Sequence, residues 1–167
     1  DAEVLSLGAP VLGVCSVMQL LAQLGGGRVE PHGKREYGRA EIEVTAEHQL
    51  FSGFGVGAST SVWMSHGDRV EVPPTAWEVL ARSDNAPVSA FAHRERSLYG
   101  VQFHPEVVHT PRGTELLHNF LFKICHAKPT WTPGHFVENA VEEILRRIGD
   151  GGAICGLSGG VDSAVAA

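Results

Sequence analysis

The sequence predicts an α/β protein: an open sheet of mixed or parallel strands with flanking helices, followed by the beginning of a second domain. Three observations predict it. Short apolar runs are each followed by stretches of helical period. A two-proline segment at 127–134 separates a longer, strand-rich part from a shorter one. The final residues place a glycine turn between an apolar run and a helical start.

Val11-Leu12-Gly13-Val14 reads as a buried strand, and Met18 to Leu24 as a helix of strong formers that Gly25-Gly26-Gly27 stops. Residues 39–45 alternate, with Ile42 and Val44 against Glu41 and Glu43, which predicts a half-buried strand. Residues 61–65 give another short strand, and Pro73-Pro74 a loop. Residues 86–93 and 98–103 read as two strands joined by the charged turn His93-Arg94-Glu95-Arg96. Residues 112–126 carry Leu116, Leu117, Phe120, Leu121 and Ile124 at helical spacing. After the linker, Phe136, Val137, Ala140, Val141, Ile144, Leu145 and Ile148 mark one face of a new amphipathic helix. Ala153-Ile154-Cys155-Gly156-Leu157 then reads as a buried strand, and residues 164–167 as the start of a helix. The boundaries are 1–128 for the first domain and 129–167 for the second. The chain begins without Met and ends a few residues into a helical run, the pattern of a piece cut from a longer protein.

Bulk properties narrow the classes. The 167 residues are 43% hydrophobic and 19% charged, an ordinary globular composition. A net charge of −6 argues against a basic nucleic-acid stripe while leaving small anionic ligands open. No apolar run approaches the roughly 20 residues of a membrane span, and residues 1–3 carry no signal-peptide pattern. Cys15, Cys125 and Cys155 cannot all pair and form no Cys-x-x-Cys, which fits free thiols in a reducing cytoplasm. Cys125 and Cys155 sit among apolar neighbours and read as core. Nine histidines are scattered, without zinc-helix spacing, so the sequence predicts no metal cage.

Two places carry chemistry. Gly13-Val14-Cys15-Ser16 sets a cysteine between a strand and a helix, the cysteine form of a nucleophile elbow. A helix N-terminus there favours the thiolate. Gly100-Val101-Gln102-Phe103-His104-Pro105-Glu106 ends a strand with a His and a Glu two apart. His104 suits the general base that accepts the thiol proton and returns it to a leaving amine. Glu106 suits the carboxylate that fixes the imidazole tautomer. The second place is Ser158-Gly159-Gly160-Val161-Asp162-Ser163-Ala164. A glycine turn entering a helix points successive N–H groups at an anion, and two hydroxyls add to them. No lysine follows the glycines, so this is not the common NTPase loop.

Together these motifs resemble a class I (triad) glutamine amidotransferase followed by the pyrophosphate loop of the ATP pyrophosphatases. Their order in one chain resembles the glutamine-hydrolysing GMP synthase family. Residues 35–38, 63–68 and 101–110, then Gly113, Leu116, Asn119, Phe120 and residues 131–136, extend the likeness over nearly the whole chain.

The fold so implied is an open mixed or parallel-sheet amidotransferase domain, truncated at its N-terminus. It is followed by the first strand, loop and helix of an adenine-nucleotide alpha hydrolase-like domain. The resemblance implies Cys15, His104 and Glu106 as the catalytic triad and the Ser16 N–H as an oxyanion donor. It implies Gln19, Ser65, Gly67 and Asp68 around the glutamine, and residues 158–164 on the phosphates of ATP. It further implies Mg2+ assistance, XMP as acceptor activated by adenylation, GMP as product, a homodimeric whole protein, and neither nucleic acid nor membrane as partner.

The family's usual Gly-x-Cys-Tyr-Gly-Met-Gln departs here to Ser16 and Val17. The valine is expected to crowd the strand–helix crossing. The family's upstream glycine loop, source of a second oxyanion donor, would precede residue 1, so the chain by itself is expected to have little glutaminase activity. Three other readings stay open: a triad amidotransferase of different acceptor, an ATP pyrophosphatase of other specificity, and a non-catalytic glutamine-binding module.

Overall fold

A computed structural model of the chain describes residues 2–130 and 132–166. Asp1, Trp131 and Ala167 lie outside the described residues, together with the parts of the linker and terminal-helix readings that fall on them. The chain divides into two compact units, Asp1–Ala127 and Lys128–Ala167.

In the first unit β1 (Val11–Val14) leads into α1 (Ser16–Leu24). Four strands follow, β2 (Arg28–Val44), β3 (Ser59–Val72), β4 (Trp77–Ser83) and β5 (Ala90–His93), then β6 (Leu98–Val101) and α2 (Gly113–His118). The strands make one six-stranded sheet in the order β1-β6-β5-β4-β2-β3. β1 and β6 pair in parallel, with Val14 opposite Val101, and all other neighbours are antiparallel. The sheet is therefore mixed.

Alternate residues of the strands feed two cores on opposite faces. Phe91 and Leu98 join Met18, Leu21 and Ala22 of α1, whereas Ala90, Ala92, Tyr99 and Val101 join Leu50, Phe51, Phe103 and Leu116. Each of the large side chains among these contributes about 1.5–3 kcal/mol by leaving water. The glycine run ends α1 as expected: the Gly25 and Gly27 amides return to the carbonyls of Leu21 and Ala22.

Several elements differ from the sequence reading. β4 was not expected. Its ladder slips between Val79 and Ala81, so Leu80 and Ala81 are both buried and the alternation that marks a strand is broken. β2 starts well before residue 39. Pro31 and a register irregularity between Pro31 and Glu36 disguise its first half. β3 likewise runs far beyond residues 61–65. Residues 86–88 turn before the strand begins: the Ala86 amide bonds the Ser83 hydroxyl, and the Ser89 hydroxyl donates to the Ala86 carbonyl, while the Ser89 backbone already bonds the Ala81 carbonyl and the Gln102 amide. The helix at 112–126 widens after His118 into a π-helical turn, Asn119–Ile124. Buried Asn119 there donates to the Leu50 and Ser52 carbonyls, tying the turn to the 49–54 loop.

In the second unit α3 (Pro133–Ile148) starts on Thr132, whose hydroxyl accepts the His135 amide, with a proline in the first turn. Its stripe Phe136, Val137, Val141, Ile144 and Leu145 is exposed. Residues 153–157 are a correction: they form no strand, and Ile154, Cys155 and Leu157 are exposed. A strand needs a neighbour for its amides and carbonyls, and no described strand pairs with these residues. Cys155 is therefore not core, while Cys125 is half-buried. A glycine turn then enters α4 (Val161–Ala166). Among the described residues no helix is long and apolar enough to cross a membrane.

Candidate active site

Parallel pairing of β1 with β6 puts the carboxyl ends of both strands on one edge of the sheet, where the two sequence motifs begin. The Cys15 amide extends that pairing by donating to the Val101 carbonyl at 2.8 Å. The chain then turns sharply. Cys15 takes φ 53°, ψ −113°, a left-handed conformation rare for a side-chain-bearing residue, and caps α1. Such strain costs of order 1–3 kcal/mol and persists where surrounding packing enforces it.

The enforcing contact is Gly13. A β-carbon there would meet the Met18 amide nitrogen at 3.0 Å and the Val17 carbonyl carbon at 3.1 Å. This corrects the crowding expected of Val17, a residue about half exposed (47%). Close approach of strand and helix depends on Gly13, not on a glycine at position 17.

The Cys15 thiol donates to the Ser65 carbonyl at 3.5 Å and accepts from the Gln102 side-chain amide at 3.7 Å. Burial pushes its pKa above the ordinary thiol value; the Ser16 N–H and Gln102 oppose this, and the Glu106 charge adds to it. Left alone, the thiol is poorly ionised at neutral pH, so a base must take its proton.

Just beyond Gln102, the His104 ring shares a 2.7 Å hydrogen bond with Glu106 through Nδ1. With Nδ1–H turned to the carboxylate, Nε2 keeps the lone pair of a base. The His104 backbone is clamped at both ends. Its amide donates to the Trp63 carbonyl at 3.0 Å, and its carbonyl accepts the Thr110 hydroxyl at 2.6 Å. The same hydroxyl accepts the Trp63 amide at 3.0 Å. Gly113 lets α2 press against Pro105 from the other side.

A cleft of about 410 Å³ opens over Cys15. Ser16, Gln19, Ser65, Gly67 and Asp68, all singled out from sequence, line it with Pro31, Arg35, Tyr37 and His66. A larger hollow of about 780 Å³ lies by residues 44–56, and its lining includes none of these groups. The Gln19 amide donates to the Asp68 carbonyl at 2.7 Å and to Gln102 Oε1 at 3.0 Å. Buried His66 contacts the same Asp68 carbonyl at 3.0 Å and Glu36 at 3.1 Å. Both its ring nitrogens are engaged, so it braces the cleft wall. Gln102, Thr110, Glu36 and Gly113 were not singled out as site residues, although all but Glu36 fall in or beside the His-Pro-Glu motif.

The second motif stands by itself. The Ser158 and Ser163 hydroxyls lie 3.0 Å apart, Ser163 donates to the Gly160 carbonyl, and the Gly160 amide reaches the Ser158 hydroxyl at 3.3 Å. Gly159 supplies the φ of +79° that closes the turn. Val161, Asp162 and Ala164 follow on α4. No group of three or more His, Cys, Asp or Glu side chains able to hold a metal ion occurs among the described residues.

An elbow cysteine thus opens onto a polar cleft, and a histidine–carboxylate pair, which does not line that cleft, follows the end of the neighbouring strand; similarity to known proteins gives the class of the chain. Residues 1–124 match the glutamine amidotransferase class-I family, and the chain belongs to it. It is 48% identical over its whole length to the glutamine-hydrolyzing GMP synthase of Caldanaerobacter subterraneus, and 54% over 98% of its length to that of Thermomicrobium roseum. It spans 32% and 30% of those two proteins, about a third of the curated relatives it matches. Of solved structures, a GMP synthase component from Thermoplasma acidophilum superposes with TM-score 0.65 at 29% identity, over 82% of this chain and 61% of that one. A glutamine amidotransferase of Thermotoga maritima gives TM-score 0.57 at 25% identity, over 87% and 61%.

Proposed function

We propose that this site hydrolyses glutamine, and that the whole protein uses the ammonia to convert XMP to GMP with ATP. One observation carries the first half: Cys15 is held at a strained elbow beside the segment that bears the His104–Glu106 pair, with the cleft directly above. In this reading His104 Nε2 takes the thiol proton and the Cys15 sulfur attacks the carboxamide carbon of glutamine. The Ser16 N–H donates to the oxyanion. His104 returns the proton to the departing nitrogen, ammonia leaves, and a thioester remains. Water, deprotonated by the same imidazole, cleaves the thioester to glutamate and restores the thiol. Glu106 stabilises the imidazolium in both halves. Ser65, Gly67 and Asp68 hold the amino-acid end of the substrate, and Gln19 borders it.

The acceptor half rests on the likeness to GMP synthases along the entire chain. ATP supplies the activation of the XMP oxygen, and the residues of 158–164 suit its phosphates: backbone amides at a turn, two hydroxyls and no opposing carboxylate except Asp162. Mg2+ is given no ligand here, since the described residues offer no cluster for it. The homodimeric, cytoplasmic state of the whole protein belongs to the same proposal. The test is ammonia release from glutamine and GMP formation from XMP, ATP and glutamine by the whole protein. Loss of the glutamine-dependent rate in Cys15→Ala, with the rate from free ammonium retained, supports the reading. Undiminished glutamine use in Cys15→Ala refutes it.

A further inference from the structure

Gln102 is fully buried, directly after β6, and its carboxamide lies against the sulfur of Cys15. A buried carboxamide is costly unless its hydrogen bonds are met, and the way these are met fixes which end faces the sulfur. The Asp68 carbonyl can only accept. The Gln19 atom 2.7 Å from it must therefore be the amide nitrogen. That same nitrogen lies 3.0 Å from Gln102, whose near atom must be the oxygen. The nitrogen of Gln102 is then left for Cys15 Sγ, at 3.7 Å. Flipping Gln19 would set two acceptors against each other at Asp68, and flipping Gln102 alone would set two donors face to face. A backbone carbonyl in the wall of the cleft thus dictates, through two side chains, that a donor points at the nucleophile.

We propose that Gln102 is a further catalytic residue whose side-chain N–H donates to the Cys15 sulfur and favours its thiolate, with Gln19 as the positioning residue that holds the carboxamide in that orientation. This rests on the glutaminase reading. A hydrogen bond to an ionised acceptor is roughly twice as strong as one to a neutral group. The contact therefore strengthens when the thiol proton leaves for His104, and weakens again once the sulfur carries an acyl group. The Ser65 carbonyl, which accepts the thiol proton's hydrogen bond in the resting site, has no such bond to the thiolate. Gln102 then carries the compensation together with the Ser16 N–H. Among the described residues the charged and titratable groups around the thiol are Glu106 and its partner His104 on the β6 side, and Arg35, Tyr37, His66 and Asp68 in the cleft lining.

The experiment is alkylation of Cys15 by iodoacetamide from pH 6 to 11 in the whole protein, read by peptide mass spectrometry, with Cys125 and Cys155 as references in the same digest. Gln102→Leu is expected to alkylate roughly tenfold more slowly at pH 7, and to converge on the unaltered protein at high pH, where the thiol is fully ionised. Its kcat for glutamine falls, with KM little changed. Gln102→Glu, which keeps the shape, slows the neutral reaction further. Gln19→Met leaves Gln102 in place but unanchored and gives an intermediate loss, and it is the variant that decides should Gln102→Leu fail to fold. Neutral alkylation unchanged in these variants overturns the proposal, and so does equal slowing at every pH, which marks a packing defect. Failure of the glutaminase reading looks different: the unaltered protein then releases no ammonia from glutamine, whatever its alkylation profile.

Discussion

An alanine at Gly113 would carry its β-carbon to 1.9 Å from the Pro105 carbonyl oxygen and 2.7 Å from the carbonyl carbon. Both are backbone atoms, so no side chain can swing aside. Non-bonded β-carbons essentially never come closer than 3.0 Å, which leaves a shortfall of about 1.1 Å for the segment carrying His104 and Glu106 to absorb. The segment is clamped elsewhere. Thr110 and Trp63 hold the His104 backbone, and the Gly113 amide is bonded to the Thr110 carbonyl. Movement therefore shifts the imidazole that the proposed reaction uses as the base for the thiol. A 1 Å misplacement at a reacting centre costs on the order of 100-fold. Gly113→Ala in the whole protein is expected to lose about that factor in kcat for ammonia release, while KM for glutamine changes less than about threefold, because the cleft wall at residues 65–68 belongs to β3. The assay is steady-state glutamine hydrolysis, with near-ultraviolet circular dichroism as the folding control. A folded Gly113→Ala protein with kcat within twofold of the unaltered one would refute the reasoning.

Other expectations follow from the same geometry. Gly13→Ala meets backbone atoms of α1 and is expected to destabilise by about 1–3 kcal/mol. Gly100→Ala meets Met18 Cγ at 2.7 Å and the Phe91 ring at 2.9 Å, both side chains fully buried, and is expected to cost at least as much; urea unfolding of the two orders them. Val17→Gly relieves nothing, since Val17 is exposed, and lowers stability by a few tenths of a kcal/mol through helix propensity. Thr110→Val strands the His104 carbonyl and the Trp63 amide and should lower kcat about tenfold, whereas Thr110→Ser, which keeps the hydroxyl, recovers most of it. His48 is held below the ordinary histidine pKa by burial, against a smaller opposing effect of Glu78. Its Nδ1 accepts the Leu50 amide, so the fold takes the neutral ring. The unfolded chain binds a proton near pH 6.5 before the folded one does. His48's contribution is therefore complete above that pH and lost progressively below it. His48→Asn, which keeps an acceptor, should flatten the fall in urea midpoint between pH 7 and 5.

The elbow and the His-Pro-Glu segment were legible because each is local: a strand, a turn residue and a side chain within a few positions. β1, α1 and α3 were legible for the same reason, each with its period and its cap in one window. What escaped depended on partners distant in the chain. β4 hides its period behind a bulge matched to β5, and the first half of β2 is a strand only because β3 lies beside it. Gln102 reads as one more polar residue of a motif until Gln19 and Asp68, far away in sequence, fix its orientation. Val17 was expected to crowd the crossing because the resembled family has a glycine there, while the point of close approach is two residues before the cysteine, at Gly13. Residues 153–157 have the composition of a strand, but composition supplies no neighbour to pair with.

The central claim is that Cys15 is the nucleophile that attacks a glutamine carboxamide. Its most direct test is treatment of the folded whole protein with a glutamine analogue bearing a diazoketone in place of the amide, followed by peptide mapping. The account predicts a single stoichiometric adduct on the peptide containing Cys15, slowed by excess glutamine. A folded protein that takes up no label there, or takes it up only at Cys125 or Cys155, would contradict it.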